Sequence, residues 1–293
     1  MNEKQFEHIS NRHPCFSQGP HLHKGRIHLP VSPACNIQCR FCSRVYDTDS
    51  QRPGVTRSII SPGEAAGLVG RALELEPNIT VVGIAGPGDT LATPHAIETF
   101  RLTHKLYPQL INCLSTNGLL LEKKIDDLVS AGVQTLTVTI NAVDPQIQKQ
   151  ICSHIIYNGE RFEGDTAASI LTEAQKRGVR LAVDAGMIVK INTVLIPSIN
   201  GGHIGAIAET VKSLGAKMLN IIPLIPNAEF STFPAPACTE LSSARSIAEK
   251  HLTVFKHCQH CRADACGIPG KSELRELLYG GREQDAEQTF SHG

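Results

Sequence analysis

Residues 26–44 read RIHLPVSPACNIQCRFCSR. The first eight, RIHLPVSP, predict a strand, and the strand runs directly into a loop holding Cys35, Cys39 and Cys42. Whether this is an isolated motif or the opening of a repeat decides the fold. Working outward, five more apolar runs follow: ITVVGIAGP, LINCLSTNG, QTLTVTINA, MIVKINTVLIP and KMLNIIPLIP. Helical character separates them near 61–75, 94–106, 121–131, 166–177 and 203–214, with another short helix after Pro145. The first helix carries its own start signal, Ser61 as N-cap, Pro62 at the first helical position and Glu64 three residues after the cap. Six β/α units in succession imply a parallel sheet, because each strand needs a crossover before the next can pair beside it. The expected fold is therefore α/β, a partial (β/α)6 TIM-type barrel two units short of closure, with its chemistry on the C-terminal rims of the strands.

The repeat occupies 26–226 and leaves an N-terminal segment, 1–25, and a C-terminal one, 227–293. Both carry cysteines and histidines, so both are expected to fold over the barrel mouth as cluster-binding extensions. RLAVDAG, near 180–186, reads as additional sequence ahead of the fifth strand.

Composition narrows the function. The chain has 293 residues, with 28 basic and 28 acidic side chains, so no global field recruits nucleic acid or an anionic membrane surface. No apolar run approaches the roughly 20 residues of a membrane span, and MNEKQFEHISNRHPC lacks the apolar core of a signal peptide. A cytoplasmic location is expected. There the ten cysteines sit among reducing thiols, where clustered cysteines bind metal more often than they pair.

Structural zinc takes four protein ligands and an electron-transfer cubane takes four thiolates, so three thiols on one loop suggest a cluster with one iron left open to substrate. A zinc loop completed by a distant histidine is the simpler alternative, but the paired zinc-knuckle spacing is absent. The three-then-two spacing after a first β strand resembles the radical S-adenosylmethionine (SAM) superfamily. That resemblance implies a [4Fe-4S] cluster on Cys35, Cys39 and Cys42, whose open iron chelates SAM and whose electron cleaves it to a 5'-deoxyadenosyl radical. It also implies a SAM site at the strand ends: Gly86, Gly88 and Asp89 in GIAGPGDTLA, Thr116 and Asn117 in STNG, and Asn141 in TINAVDP. Glycines permit close backbone approach and a carboxylate pairs with an ammonium. Each of these residues taken alone also has an ordinary turn-forming explanation.

Seven cysteines remain. Cys152 and Cys238 read as packing residues. HCQHCRADACG, with Cys258, Cys261 and Cys266 among histidines, reads as metal-binding. Cys15 stands among His13, His21, His23 and His28, and Cys113 lies on the third strand. The set HPCF, GRIHLPVSPACNIQCRFC, RPGV, GIAGPGDTLA, CLSTNGL, VTINAVDP, KINTVLIP and HCQHCRADA, spread over residues 13–268, resembles the NifB family of nitrogenase cofactor biosynthesis proteins. The resemblance implies three [4Fe-4S] clusters, one for radical generation and two as substrate. The two substrate clusters are fused around a SAM-derived carbon with an extra sulfur into an [8Fe-9S-C] precursor, by methyl transfer and then hydrogen abstraction. It implies Cys15, Cys113, Cys258 and Cys261 as anchors of the substrate clusters, assisted by His8 or His13. Its implied partners are iron–sulfur cluster donors, a cofactor carrier or scaffold protein, and an electron donor such as a ferredoxin.

Two departures stand out. Thr48 occupies a position where the family often has another cysteine, and Cys266 one where an aliphatic residue is usual, so Cys266 is a candidate compensating ligand. Many relatives carry a C-terminal carrier domain, and this chain is expected to be the short standalone form. Two competing readings are a radical peptide maturase with auxiliary electron-transfer clusters and a non-catalytic iron–sulfur carrier. The first calls for complete four-thiolate sets and a peptide-recognition module, and the second has no use for the glycine-rich turn, Asp89 or an open-iron loop.

Overall fold

A computed structural model describes residues 3–17 and 23–281; His21 lies outside them. The strands are β1 (Gly25–His28), β2 (Ile37–Cys39), β3 (Ile79–Ile84), β4 (Ile111–Thr116), β5 (Val133–Thr139), β6 (Cys152–Tyr157), β7 (Glu160–Glu163), β8 (Ile188–Leu195), β9 (Met218–Pro223), β10 (Thr253–Val254) and β11 (Cys266–Gly267). The α-helices are α1 (Glu3–Ser10), α2 (Pro62–Leu75), α3 (His95–Leu106), α4 (Leu121–Ser130), α5 (Pro145–Ile151), α6 (Gly164–Asp184), α7 (Pro197–Asn200), α8 (Ile204–Ser213), α9 (Cys238–Glu249) and α10 (Arg275–Tyr279).

The main sheet has the order β10-β9-β8-β5-β4-β3-β1-β11. Its six central strands are parallel and neighbour one another in chain order, as a β/α repeat winding one way requires. This is the expected partial (β/α)6 barrel. Its core is the apolar layer between sheet and helices, where Leu114, Leu136, Val189 and Ile221 meet Val69, Phe100, Leu128 and Val179. The Ser61 cap forms as its sequence dictates: Ser61 Oγ accepts from Glu64 N–H at 3.3 Å and Glu64 returns a bond to Ser61 N–H at 2.9 Å. β1 is shorter than the predicted strand, because Pro30 and Pro33 supply no ladder donor.

Three features go beyond the sequence reading. RLAVDAG, read as additional sequence ahead of the fifth strand, forms the end of α6, which runs 21 residues and buries Val179 and Ala182. A second sheet, β2-β6-β7, went unpredicted: the cysteine loop itself contributes β2, which pairs antiparallel with a hairpin at 152–163. The hairpin had a signal in the sequence, Asn158-Gly159, whose φ values of 55° and 80° are those a two-residue hairpin turn demands. Finally, the two extensions part company: the start of the C-terminal one reaches the cysteine loop at the mouth, where Asn227 donates to Ser43 Oγ at 3.2 Å and the Phe230 ring lies 6.4 Å from that of Phe41, while the N-terminal one lies at the opposite end. Ile9 and Phe16 pack on Val81, Ile111 and Ile188, at the starts of their strands, so the N-terminal segment plugs the bottom of the barrel. Further along, the C-terminal segment pairs with both sheet edges, β10 on β9 and β11 on β1, and residues 255–265 span the open side between them. Edge strands left bare expose unpaired backbone groups, and this strap satisfies both edges at once.

Candidate functional site

A cavity of about 390 Å³ occupies the barrel interior. Strand alternation decides which side chains face it: Cys113, Ser115 and Asn117 from β4 and its end, Thr137, Thr139 and Asn141 from β5 and its end, Lys190, Asn192 and Val194 from β8. Cys35, Cys39 and Cys42 line it from the loop, Cys15 and His13 from the N-terminal plug, and Cys258 and Cys261 from the strap. Seven of the predicted cysteines thus meet in one chamber.

Around the three-cysteine loop, backbone approach is close. Gly88 N–H donates to Ser32 O at 2.8 Å and Asp89 N–H to Ala34 O at 2.9 Å. A Cβ at Gly88 would lie 2.0 Å from Ala34 O, so only glycine permits the strand-end turn to dock on the loop. Gly86 has a φ of 122°, a conformation closed to other residues. The buried Asp89 carboxylate accepts from Thr116 OH and Asn117 N–H, each at 2.7 Å, and from Leu91 N–H at 3.0 Å. Burial pushes its pKa up and these three bonds pull it back. With three of about four acceptor positions occupied, Asp89 has one left toward the cavity. Asn117 donates to Asn36 Oδ1 at 2.7 Å and stands 4.0 Å from Cys35 Sγ, while Asn141 accepts from Val194 N–H at 2.8 Å. Asp89, Thr116, Asn117 and Asn36 thus form one hydrogen-bonded network beside the loop, and Asn141 is held separately by Val194 and Asn200.

The thiols are buried. Burial pushes Cys35 up to about 12, with Asp89 adding to it, and holds Cys39 well above its ordinary value. Such thiols give up their protons when a cationic centre replaces them, which is the behaviour of metal ligands. Among the described residues no three Cys, His, Asp or Glu groups converge as a single ion would require. A cubane makes a different demand, one thiolate for each corner iron, so the donors stand further apart. The three loop thiols, the open cavity beside them and the close-packed glycine turn fit such a cluster.

A second thiol set lies deeper. Cys15 responds to the charges of Cys261 and Cys113, and burial pushes it up to about 12. Arg26 donates to Cys261 Sγ at 3.2 Å, and Lys190 donates to Cys15 O at 3.0 Å. Cys258 lies beside them on the strap, with His257 and His260. Of the two candidate histidines only His13 is on the cavity wall; its Nδ1 accepts from Cys15 N–H at 3.1 Å and its Nε2 has no partner among the described residues. His8 is exposed and engages Arg12 at 3.1 Å.

Cys266 requires a correction. It is fully buried in β11, opposite Ile27 and within the apolar core, and is absent from the cavity wall. A thiol there packs as a small hydrophobe and does not make up for Thr48, which is also off the wall. The residues that sequence reasoning missed are Arg26, Lys190 and Arg44, all buried around the thiols. Lys190 carried a signal: it is the single charge in the strand IVKINTVL.

Residues 29–211 match the Radical SAM superfamily. The FeMo cofactor biosynthesis protein NifB of Methanocaldococcus jannaschii is 43% identical over 277 residues, which is 94% of this chain and 92% of that protein. The protein of the same name from Methanocaldococcus infernus is 42% identical over 98% of this chain and 94% of its own length. That of Herbaspirillum seropedicae is 39% identical over 99% of this chain, which spans 58% of it. Among solved structures, a radical SAM methyltransferase from Sphaerobacter thermophilus shares the fold with a TM-score of 0.54 at 21% identity, covering 79% of this chain and 65% of that one. Native anSMEcpe with bound AdoMet and a peptide gives 0.56 at 15% identity, covering 78% and 62%. With its three-cysteine loop at the rim of a partial barrel, the chain belongs to the NifB family within the radical SAM superfamily.

Proposed function

We propose that this chain builds the iron–sulfur precursor of the nitrogenase cofactor, joining two [4Fe-4S] substrate clusters with a carbon from SAM and one extra sulfur into [8Fe-9S-C]. The observation that carries the proposal is the presence of two separate thiol sets on one cavity, Cys35, Cys39 and Cys42 at the rim and Cys15, Cys113, Cys258 and Cys261 below. When bound, the rim cluster supplies the electron that cleaves SAM reductively. The chain's own groups do the rest. Gly86, Gly88, Thr116, Asn117 and Asn141 shape the SAM pocket, and Asp89 offers its remaining acceptor position to the amino group. The lower thiols hold the substrate clusters, with His13 the histidine positioned to assist. Four thiolates for two cubanes is a sparse set, which suits a cluster that must leave as product. The strap and plug keep water and other thiols from the chamber. Cluster donors, a cofactor carrier or scaffold and a ferredoxin-like reductant complete the reading as partners.

The test is anaerobic reconstitution followed by iron counting and turnover with methyl-labelled SAM. About twelve irons per chain, release of both S-adenosylhomocysteine and 5'-deoxyadenosine, and label retained with the cluster iron support the proposal. About four irons, or 5'-deoxyadenosine without methyl transfer, reduce the chain to an ordinary radical enzyme.

A further inference from the structure

Lys190 is anomalous. It interrupts the apolar strand IVKINTVL, is 5% exposed and forms no ion pair with a carboxylate among the described residues. Its Nζ has one hydrogen bond, to Cys15 O at 3.0 Å, and lies 4.8 Å from the Phe16 ring centre and 5.1 Å from that of Phe255. A neutral carbonyl and two ring faces steady a cation but do not cancel it, and a buried charge without a counter-ion is costly enough to demand an explanation. The side chain points into the cavity from the middle of β8, beside Thr137 on β5. Its positive charge reaches both Cys15 and Cys113, favouring their thiolates. Arg26 repeats the arrangement at the strap. It is 3% exposed and donates to Cys261 Sγ at 3.2 Å, and its nearest carboxylate, Glu273, is 3.9 Å away on a half-exposed side chain. The lower thiols are therefore met by two buried cations, one on the plug side and one on the strap side. The rim thiols Cys35 and Cys39 are met by a third, Arg44.

We propose that Lys190, together with Arg26, is the built-in counter-charge of the lower chamber, positioning and retaining an anionic iron–sulfur substrate that so few thiolates would otherwise hold loosely. The inference rests on the reading of the lower thiols as the substrate site. Thiolate-ligated clusters become more negative on reduction, so a fixed cation beside them raises their potential and slows their loss. Lys190 is a positioning residue in this account and takes part in no bond-making step.

The experiment compares reconstituted wild type with Lys190→Met, which keeps the stem packed on the two rings, and Lys190→Arg, which keeps the charge. The readouts are iron per chain and the reduction potentials of the lower clusters, followed by electron paramagnetic resonance; the Cys35–Cys39–Cys42 cluster in the same sample serves as internal reference. The expected result is that Lys190→Met loses lower-cluster iron or shifts those signals to more negative potential, leaves the reference signal in place, and that Lys190→Arg behaves as wild type. Unchanged iron and potentials in Lys190→Met, or equal shifts in Met and Arg variants, overturn the proposal. Should Lys190→Met fail to fold, Arg26→Gln is read by the same criteria. If wild type itself holds about four irons, the functional reading and this inference fall together; if it holds about twelve and the variants match it, only the inference falls.

Discussion

Asp89, singled out in the sequence as a candidate ligand-binding acid, has a structural task in the fold. Its carboxylate ties the end of β3 to the end of β4 through Thr116 and Asn117, and its backbone N–H ties both to the cysteine loop at Ala34. Asp89→Asn places an amide donor among donors, so we expect a loss of about 2 kcal/mol in apo-protein stability. SAM affinity, measured by equilibrium dialysis, should fall further than iron content does. Cys266 illustrates the reverse case, a residue singled out for chemistry that packs in the core. Cys266→Ala is expected to cost about 1 to 2 kcal/mol in urea unfolding without changing iron per chain. Loss of iron on that substitution would restore it as a ligand. The three loop cysteines stood out because their spacing is local, whereas the need for glycine at position 88 arises from an approach to Ala34, 54 residues earlier, that no local pattern records.

At the scale of elements, the hairpin at 152–163 is the part of the architecture that most directly supports the site. It clamps β2, pairing Ile37 with Ile155 and Cys39 with Cys152, so one of the three loop cysteines sits in a ladder. Beneath it Ile155, Leu119, Leu171 and Ala174 form a small apolar cluster of their own, with Cys35 and Cys39 on its border. Truncating the fully buried Ile155 to alanine is expected to cost about 2 to 5 kcal/mol. Because the cluster borders the loop, the rim cluster should suffer first: its signal should weaken before iron is lost from the lower thiols, as tracked by paramagnetic resonance during stepwise heating. The hairpin escaped the sequence reading because β6 follows α5 with no intervening turn, Cys152 being at once the helix C-cap and the first strand residue. Its Asn-Gly turn was visible, but the partner it serves lies more than a hundred residues away.

The whole molecule is a barrel left open by two units, plugged below by one terminal segment and strapped along its open side by the other. Closing the chamber buries histidines, and this has a consequence for pH. His28 donates from Nδ1 to Arg262 O at 2.9 Å, and burial, reinforced by Arg26, depresses its pKa to about 4. His13 is held well below its ordinary value for the same first reason, burial. A histidine that stays neutral when folded but takes a proton at about 6.5 when unfolded leaves stability intact above pH 6.5 and removes it as pH falls toward 4. For His28 the full loss is of the order of 3 kcal/mol. Apo-protein unfolded in urea at pH 7 and at pH 4.5 should lose more stability than His28→Gln does over the same interval, and equal losses would show that His28 is not depressed. From sequence alone came the parallel β/α repeat, the three-cysteine loop and the reservoir of further thiols, because hydrophobic period, capping residues and cysteine spacing act over a few neighbouring residues. Only the tertiary structure decided that the N-terminal extension seals the bottom and the C-terminal one straps the open side, that Cys266 belongs to the core and Cys258 and Cys261 to the chamber, and that Lys190 and Arg26 stand beside the lower thiols. Those outcomes depend on which face of a strand looks inward and on which unpaired edge the terminal segments satisfy, and both are settled by contacts between residues far apart in the chain.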